Sequence, residues 1–242
     1  MWQVFLKEIN SFLNSLIGYI ILFVFLTSTG LILWVFPETS VLEYGFADLS
    51  TLFTFGPYVF MFLIPAITMK LFSEEKKAGT LEILFTQPIR DWEIIGGKYL
   101  AGFSLVVFSL LPTLLYYYSI YRLGNPAGNI DAAGTIGSYI GLLLLGGVFT
   151  SIGVFSSSLT ENQVVAFIIA VFLCFIIFSG FNSIASINWW GKGADLIDKL
   201  GILYHYNSLS RGLIDSRNLV YFFSVIAIML LSTHLILSSR KW

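Results

Sequence analysis

Six apolar stretches, each about 20 residues long, constrain what this 242-residue chain can fold into. A bilayer core roughly 30 Å thick is crossed by about 20 residues of α-helix at 1.5 Å per residue. No acidic or basic side chain lies inside these stretches, where a charge would cost at least about 2.5–3.5 kcal/mol. The sequence therefore predicts six transmembrane helices, at residues 17–36, 53–69, 99–120, 136–155, 164–183 and 219–237.

The composition is that of an all-α membrane protein. Hydrophobic residues make up 57% of the chain and charged residues only 11%, which is too little charge for the surface of a soluble domain. The net charge of −1 provides no basic field, so we expect no nucleic acid partner. Cys174 is the single cysteine, so it cannot form an intrachain disulfide, and we expect it to be a small buried hydrophobic residue.

Catalytic and metal-binding motifs are missing from the sequence. It contains no HExxH zinc motif and no G-x-S-x-G serine elbow. A phosphate-binding loop is also missing, because Gly97-Lys98 is followed by Tyr99 and Trp92 stands where that motif needs glycine. We therefore expect a chain that is not an enzyme and that holds no cofactor or metal of its own.

The basic residues predict which side of the membrane each loop faces. With the N-terminus in the cytoplasm, eight lysines and arginines lie inside and five lie outside. The contrast is sharpest in the first outer loop, residues 37–51, which has three acidic residues and no basic one. The positive-inside rule therefore places both termini in the cytoplasm.

Two segments are predicted to lie in the membrane interface. Residues 1–15 have the spacing of an amphipathic helix on the cytoplasmic surface, with membrane lipid as its partner. Its apolar face consists of Trp2, Phe5, Ile9, Phe12 and Leu13. Residues 184–218 are too polar to span, and they predict short interfacial or re-entrant helices in the outer leaflet before the last span. An ordinary soluble loop is the alternative for this second segment.

Small residues in the fourth predicted span indicate close helix packing. Gly137 and Gly141 form one small-xxx-small pair, and Gly147 and Ser151 form another. This spacing lets two backbones approach closely. We therefore interpret both pairs as packing contacts and not as a ligand site.

Residues 74–98, between the second and third spans, hold nine of the 27 charged side chains (13 basic and 14 acidic). Gly79 is predicted to end a short charged helix and Thr80 to cap the next, which Pro88 ends. The apolar side chains of that second helix are Leu81, Ile83, Leu84 and Phe85. Apolar side chains with charged flanks suit a helix that lodges in a groove on another protein and transmits force. The alternative is a solvated loop whose charges only orient the membrane helices.

A family resemblance rests on the run E-E-K-K-x-G-T-L-E-x-L-F-x-x-P-I-x-x-W-E-I-x-x-G-K directly after the second span. This run resembles the coupling segment of ABC-2 type transporter permeases. The resemblance covers the whole chain, from a surface N-terminal helix through six spans with re-entrant helices before the last. The tail at residues 209–219, followed by a span ending in Arg240-Lys241-Trp242, is similar to the gliding-motility permeases of Bacteroidota.

This resemblance implies a permease subunit of the bacterial inner membrane that pairs with a second permease half, identical or different. It also implies separate cytoplasmic ABC ATPase subunits, which bind ATP and Mg. The coupling segment would carry their movement into the spans. In the gliding system, the second membrane partner has a large periplasmic part. A scaffold that relays motion to periplasmic partners without moving a solute is the alternative function.

The resemblance also assigns candidate contact residues. The coupling pattern includes Glu74, Glu75, Gly79, Thr80, Glu82 and Pro88, and the apolar Leu81, Leu84 and Phe85 complete the predicted ATPase contact. The outer signature includes Arg211, Gly212 and Asp215, and with Trp189 and Trp190 these are the predicted contacts with a periplasmic partner. Neither set is catalytic.

Overall fold

A computed structural model describes residues 1–43, 47–86, 88–187, 194–212 and 215–239. In these ranges the chain is helical without strands, and six helices are long and apolar enough to cross a membrane. These are span 1 (Leu16–Trp34), span 2 (Ser50–Lys77), span 3 (Asp91–Leu123), span 4 (Ala132–Leu159), span 5 (Gln163–Ala185) and span 6 (Ser216–Ser239). The prediction of an all-α membrane protein with six spans is confirmed.

Several spans consist of more than one helix. In chain order the helices are α1 (Trp2–Leu13), α2 (Leu16–Trp34), α3 (Ser50–Thr68), α4 (Lys70–Lys77), α5 (Thr80–Thr86), α6 (Asp91–Leu110), α7 (Leu114–Leu123), α8 (Ala132–Leu159), α9 (Gln163–Phe175), α10 (Phe181–Ala185), α11 (Ala194–Leu200), α12 (Ile202–Ser210) and α13 (Ser216–Ser239). A 3-10 turn at Leu111–Thr113 joins α6 to α7, where Pro112 lacks the N–H that an α-helix needs. A π-helical turn at Ile176–Gly180 joins α9 to α10.

Spans 2 and 3 extend further than the sequence indicates. The apolar pattern places them at 53–69 and 99–120, whereas the helices run over Ser50–Lys77 and Asp91–Leu123. Hydropathy ends a span at its first charged residues, but lysine and glutamate are good helix formers and prolong span 2 over Lys70–Lys77. The extension of span 3 begins with Asp91 and Glu93 in its first turn, where acidic side chains favour a helix N-terminus. Residues 74–98 are therefore largely helical continuations of the two spans, joined by α5. The other four spans agree with their predicted bounds to within four residues at each end.

Span 4, formed by α8, is the centre of the fold. It packs against α3, α6, α9, α12 and α13, and 78% of its most apolar window is buried, against 17% in span 6. Its small residues make this possible. A Cβ at Gly146 would lie 2.7 Å from Val106 Cγ1, and one at Gly153 would overlap Thr68 Oγ1. The backbone of span 4 therefore approaches spans 2 and 3 more closely than larger residues would allow.

The two small-residue pairs of span 4 contact different neighbours. A Cβ at Gly137 would lie 2.5 Å from the carbonyl oxygen of Leu209, and one at Gly141 would lie 3.3 Å from the Tyr206 ring, so this pair receives α12. The Tyr206 hydroxyl donates to the carbonyl oxygen of Phe53 at 2.6 Å, which also fixes α12 to span 2. Gly147 faces Tyr99 and Ile226 of spans 3 and 6. The predicted short helices before the last span are present as α11 and α12.

The N-terminal helix α1 packs against the start of span 3. Gly97 permits this contact, because a Cβ there would lie 2.9 Å from the carbonyl oxygen of Met1 and 3.1 Å from Val4 Cβ. Val4, Glu8 and Phe12 are buried. Trp2 stacks on Phe5 at a ring distance of 5.0 Å and stays exposed, as an interfacial helix requires.

Candidate functional site

The candidate site is the hairpin of residues 70–98, which comprises α4, α5 and the first two turns of α6. Gly79 ends α4 as predicted, with a φ of +67° in the left-handed region that favours glycine. Thr80 is the first residue of α5, and its hydroxyl donates to the carbonyl oxygen of Glu75 at 3.3 Å. The sequence predicts Thr80 as the cap of α5. In the structure its hydroxyl joins the start of α5 to the last turn of α4.

Helix α5 buries one face and exposes the other. Leu81 is 8% exposed, in an apolar cluster with Leu71 and Ile94 from the two arms of the hairpin. Glu82 and Ile83 lie on the opposite side, and Ile83 is 62% exposed. The outer face of α5 therefore presents an apolar side chain beside an acidic one.

The structure places all the predicted coupling residues on this hairpin but only some of them at its surface. Glu74, Gly79, Thr80, Glu82 and Pro88 are exposed, Leu84 and Phe85 are half-buried, and Glu75 and Leu81 are buried. Ile83 is missing from the predicted contact set, although it is the most exposed apolar residue of α5. Its apolar character was visible in the sequence, but the face that it occupies was not.

Four charged side chains form a cluster, the root cluster, where the hairpin meets α1. The cluster consists of Lys7, Glu8, Glu75 and Lys98. Lys98 Nζ lies 2.7 Å from Glu8 Oε1 and 2.9 Å from Glu75 Oε2, and Lys7 Nζ lies 2.5 Å from Glu75 Oε1. Lys98 is the partner of Glu75 Oε2, which has no other polar contact among the described residues. Two lysines balance two glutamates, which is what burial of charge requires.

The root cluster changes the interpretation of two residues. The sequence analysis counts Lys98 among the cytoplasmic loop charges and Glu75 among the ATPase contacts. In the structure the Lys98 side chain is fully buried and the Glu75 side chain is nearly so. The Lys98 ammonium also donates to the carbonyl oxygen of Leu71 and lies 5.1 Å above the Phe72 ring. Both residues therefore act inside the hairpin.

The electrostatics of the root cluster keep Lys7 charged. Burial lowers the pKa of Lys7, but the hydrogen bond to Glu75 and the charges of Glu75, Glu8 and Glu74 together raise it above its ordinary value. A lysine with a raised folded-state pKa stabilises the fold at any pH below its unfolded-state pKa. That stabilisation is lost as the pH rises through the folded-state pKa. Lys7 is therefore charged at neutral pH.

The hairpin also contacts spans 4 and 6. The backbone N–H of Phe72 donates to Ser157 Oγ at 2.9 Å, and the Lys76 ammonium donates to the carbonyl oxygen of Ser158. Trp92 stacks on His234 with ring centroids 4.7 Å apart and planes within 6°. The hairpin is therefore attached to the ends of both spans.

The predicted outer contact residues lie at the other end of the bundle. Trp189 and Trp190 fall outside the described residues. Arg211 is exposed, whereas Gly212, with a φ of +75°, packs its backbone against the start of α8. Asp215 accepts a hydrogen bond from the backbone N–H of Arg217 at 2.9 Å, at the start of span 6. Gly212 and Asp215 therefore have local structural roles.

The element order can be compared with known families. A surface helix, six spans and a hairpin between spans 2 and 3 follow one another along the described chain, and residues 2–238 match the family model described as ABC-2 family transporter protein. The chain belongs to the ABC-2 transporter family. As an ABC-2 permease it is a multi-pass membrane subunit whose family partners an ABC ATPase subunit. A search of curated proteins found no match.

Proposed function

We propose that this ABC-2 permease receives the movement of a cytoplasmic ABC ATPase at the exposed face of α5 and passes it into the spans. The observation that carries the proposal is the two-sided packing of α5. Glu82 and Ile83 face outward, while Leu81 on the other face is buried between the arms of the hairpin. A partner that covers the outer face therefore pushes on a helix that is fixed to spans 2 and 3.

The proposal requires the hairpin and both termini to lie in the cytoplasm of a bacterium. The distribution of lysine and arginine between the loops supports this orientation. In a Cys174→Ala chain, we expect Lys77→Cys to react with a membrane-impermeant maleimide in spheroplasts only after detergent opens the membrane. Asn129→Cys, also exposed but between spans 3 and 4, is the control and should react in intact spheroplasts. Labelling of Lys77→Cys without detergent would place the hairpin on the periplasmic side, where a cytoplasmic ATPase could not contact it.

Reversing the charge of Glu82 should weaken coupling. Glu82 is exposed beside Ile83, so Glu82→Lys alters the contact surface without disturbing buried packing. We expect stimulation of ATP hydrolysis by the permease to fall about tenfold, because like charges then meet or a complementary pair is lost. The measurement uses the ABC ATPase that copurifies with the wild-type permease. Glu43 is exposed between spans 1 and 2, and Glu43→Lys is the matched control. Equal stimulation of ATP hydrolysis by the two variants would show that Glu82 is not part of the ATPase contact.

We also propose that the complex contains a second permease half and serves gliding motility. The resemblance of residues 209–219 and the end of the chain to gliding-motility permeases supports this role. A relay of motion without solute transport is the second candidate, favoured by the lack of charged side chains inside the six predicted spans. ATP-dependent movement of a lipid or polymer in vesicles that contain the purified complex would exclude the pure relay.

A further inference from the structure

The root cluster joins three elements that are far apart in the sequence. Glu8 belongs to α1, Glu75 to α4 and Lys98 to α6, and Glu8 and Lys98 are 90 positions apart. Lys98 is the centre of the cluster, because its ammonium contacts both carboxylates and the carbonyl oxygen of Leu71. One side chain thus bonds the surface helix to both arms of the hairpin.

The two lysines of the cluster contribute unequally. The Lys7 side chain is 59% exposed, so solvent and salt screen its ion pair with Glu75. The Lys98 side chain is fully buried, so its ion pairs are hardly screened. An unpaired charge is strongly unfavourable in such a place, and removal of Lys98 would leave two nearly buried carboxylates to share the one exposed cation of Lys7. The charged part of the connection between α1 and the hairpin therefore depends more on Lys98 than on Lys7.

Helix α1 has no covalent connection to the hairpin other than through spans 1 and 2. Its noncovalent attachment includes the root cluster, the packing of Met1 and Val4 on Gly97, and the Lys70 ammonium, which lies 5.2 Å from the centre of the Phe12 ring. The opposite face of α1 exposes Trp2 and Leu6. The attachment therefore links a membrane-surface helix to the element that meets the ATPase.

We propose that Lys98 is a positioning residue that locks α1 to the hairpin, so that both move as one body when the ATPase acts. The inference rests on the proposed function, in which the hairpin receives that movement. Helix α1, with its exposed tryptophan, then shifts along the membrane surface whenever the hairpin is displaced. Charge neutralisation at position 98 frees α1 from this motion.

Spin labels on the two elements test the lock directly. In a Cys174→Ala chain, Gln3→Cys on α1 and Lys77→Cys on α4 are both exposed and can be labelled. We expect one narrow distance distribution in the purified permease, and the same distribution in the ATPase complex with and without ATP and vanadate. Lys98→Met, which keeps a long unbranched side chain but removes the ammonium group, should broaden the distribution. Lys98→Arg should restore it.

The same variants separate this inference from the proposed function. We expect Lys98→Met to keep ATPase copurification within about twofold of wild type while stimulated ATP hydrolysis falls about tenfold, and Lys98→Arg to recover most of the stimulation.

If the ATPase fails to bind the wild-type chain, the proposed function is wrong, and the spin labels in the permease alone still test the lock. If Lys98→Met does not fold, Glu8→Gln, which removes one carboxylate charge, replaces it. The lock would be overturned if the wild-type distance distribution changed with nucleotide. It would also be overturned if the distribution in the Lys98→Met variant were as narrow as that of wild type.

Discussion

Replacing Ile83 with aspartate is expected to reduce the affinity of the permease for its ABC ATPase by at least about a hundredfold, or about 3 kcal/mol. Ile83 is the most exposed apolar residue of α5, at the centre of the face proposed to meet the partner. An aspartate there would place an unpaired carboxylate in a surface that binding removes from water. The residue is 62% exposed, so the fold should tolerate the change. Titration of the purified ATPase against the permease in detergent measures the effect.

Leu123→Asp is the matched control for this change. Leu123 has the same 62% exposure but ends span 3 at the opposite side of the bundle. Wild-type affinity is expected for this variant. Tight ATPase binding by the Ile83→Asp permease would move the contact away from α5, and equal losses in both variants would show an effect of added charge alone.

The second large effect concerns the contact between spans 2 and 4. We expect Gly153→Val to destabilise the protein by about 3 kcal/mol, a typical cost of overpacking. A Cβ at Gly153 would overlap Thr68 Oγ1 and lie 2.7 Å from Thr68 Cβ. Thr68 is fully buried and its hydroxyl donates to the carbonyl oxygen of Ile64 at 2.8 Å, so it cannot turn away without losing that bond. Thermal unfolding in detergent should show a midpoint lowered by roughly 5–10 °C.

Gly180→Val provides the comparison in span 5. The atom nearest to a Cβ at Gly180 is Ile176 Cγ2, at 3.5 Å, which is ordinary van der Waals contact with a movable side chain. We expect this variant to unfold within a few degrees of wild type. A midpoint equally lowered in both variants would mean that loss of glycine, and not the approach of span 4 to Thr68, causes the destabilisation.

Hydropathy and local patterns predict much of this fold. The number of spans follows from the lack of charges inside six apolar runs, and the end of α4 follows from Gly79, whose left-handed conformation most residues avoid. The small pair at Gly137 and Gly141 correctly predicts close packing. The sequence could not predict that α12 is the element packed there, because only the tertiary structure brings α12 against span 4.

The root cluster could not be predicted for the same reason. A lysine that flanks an apolar run, as Lys98 does, has the pattern of a loop charge. Only the three-dimensional position of α1 brings Glu8 to within 2.7 Å of it. The faces of α5 are equally hidden, since Leu81 and Ile83 are similar in the sequence. The packing of α5 against Leu71 and Ile94 decides which of the two is buried.

The helical extensions of spans 2 and 3 set the height of the hairpin. Lys70–Lys77 continues span 2 beyond its apolar part, and residues 91–98 do the same for span 3. Eight residues rise about 12 Å in an α-helix, which exceeds the roughly 5–7 Å that the headgroups add on each side of the hydrocarbon core. In the proposed orientation, α5 therefore lies beyond the headgroups, where a cytoplasmic ATPase can contact it without meeting the bilayer. Because both arms of the hairpin are helical and packed against span 4 and α1, a force applied at α5 is passed to both of these neighbours.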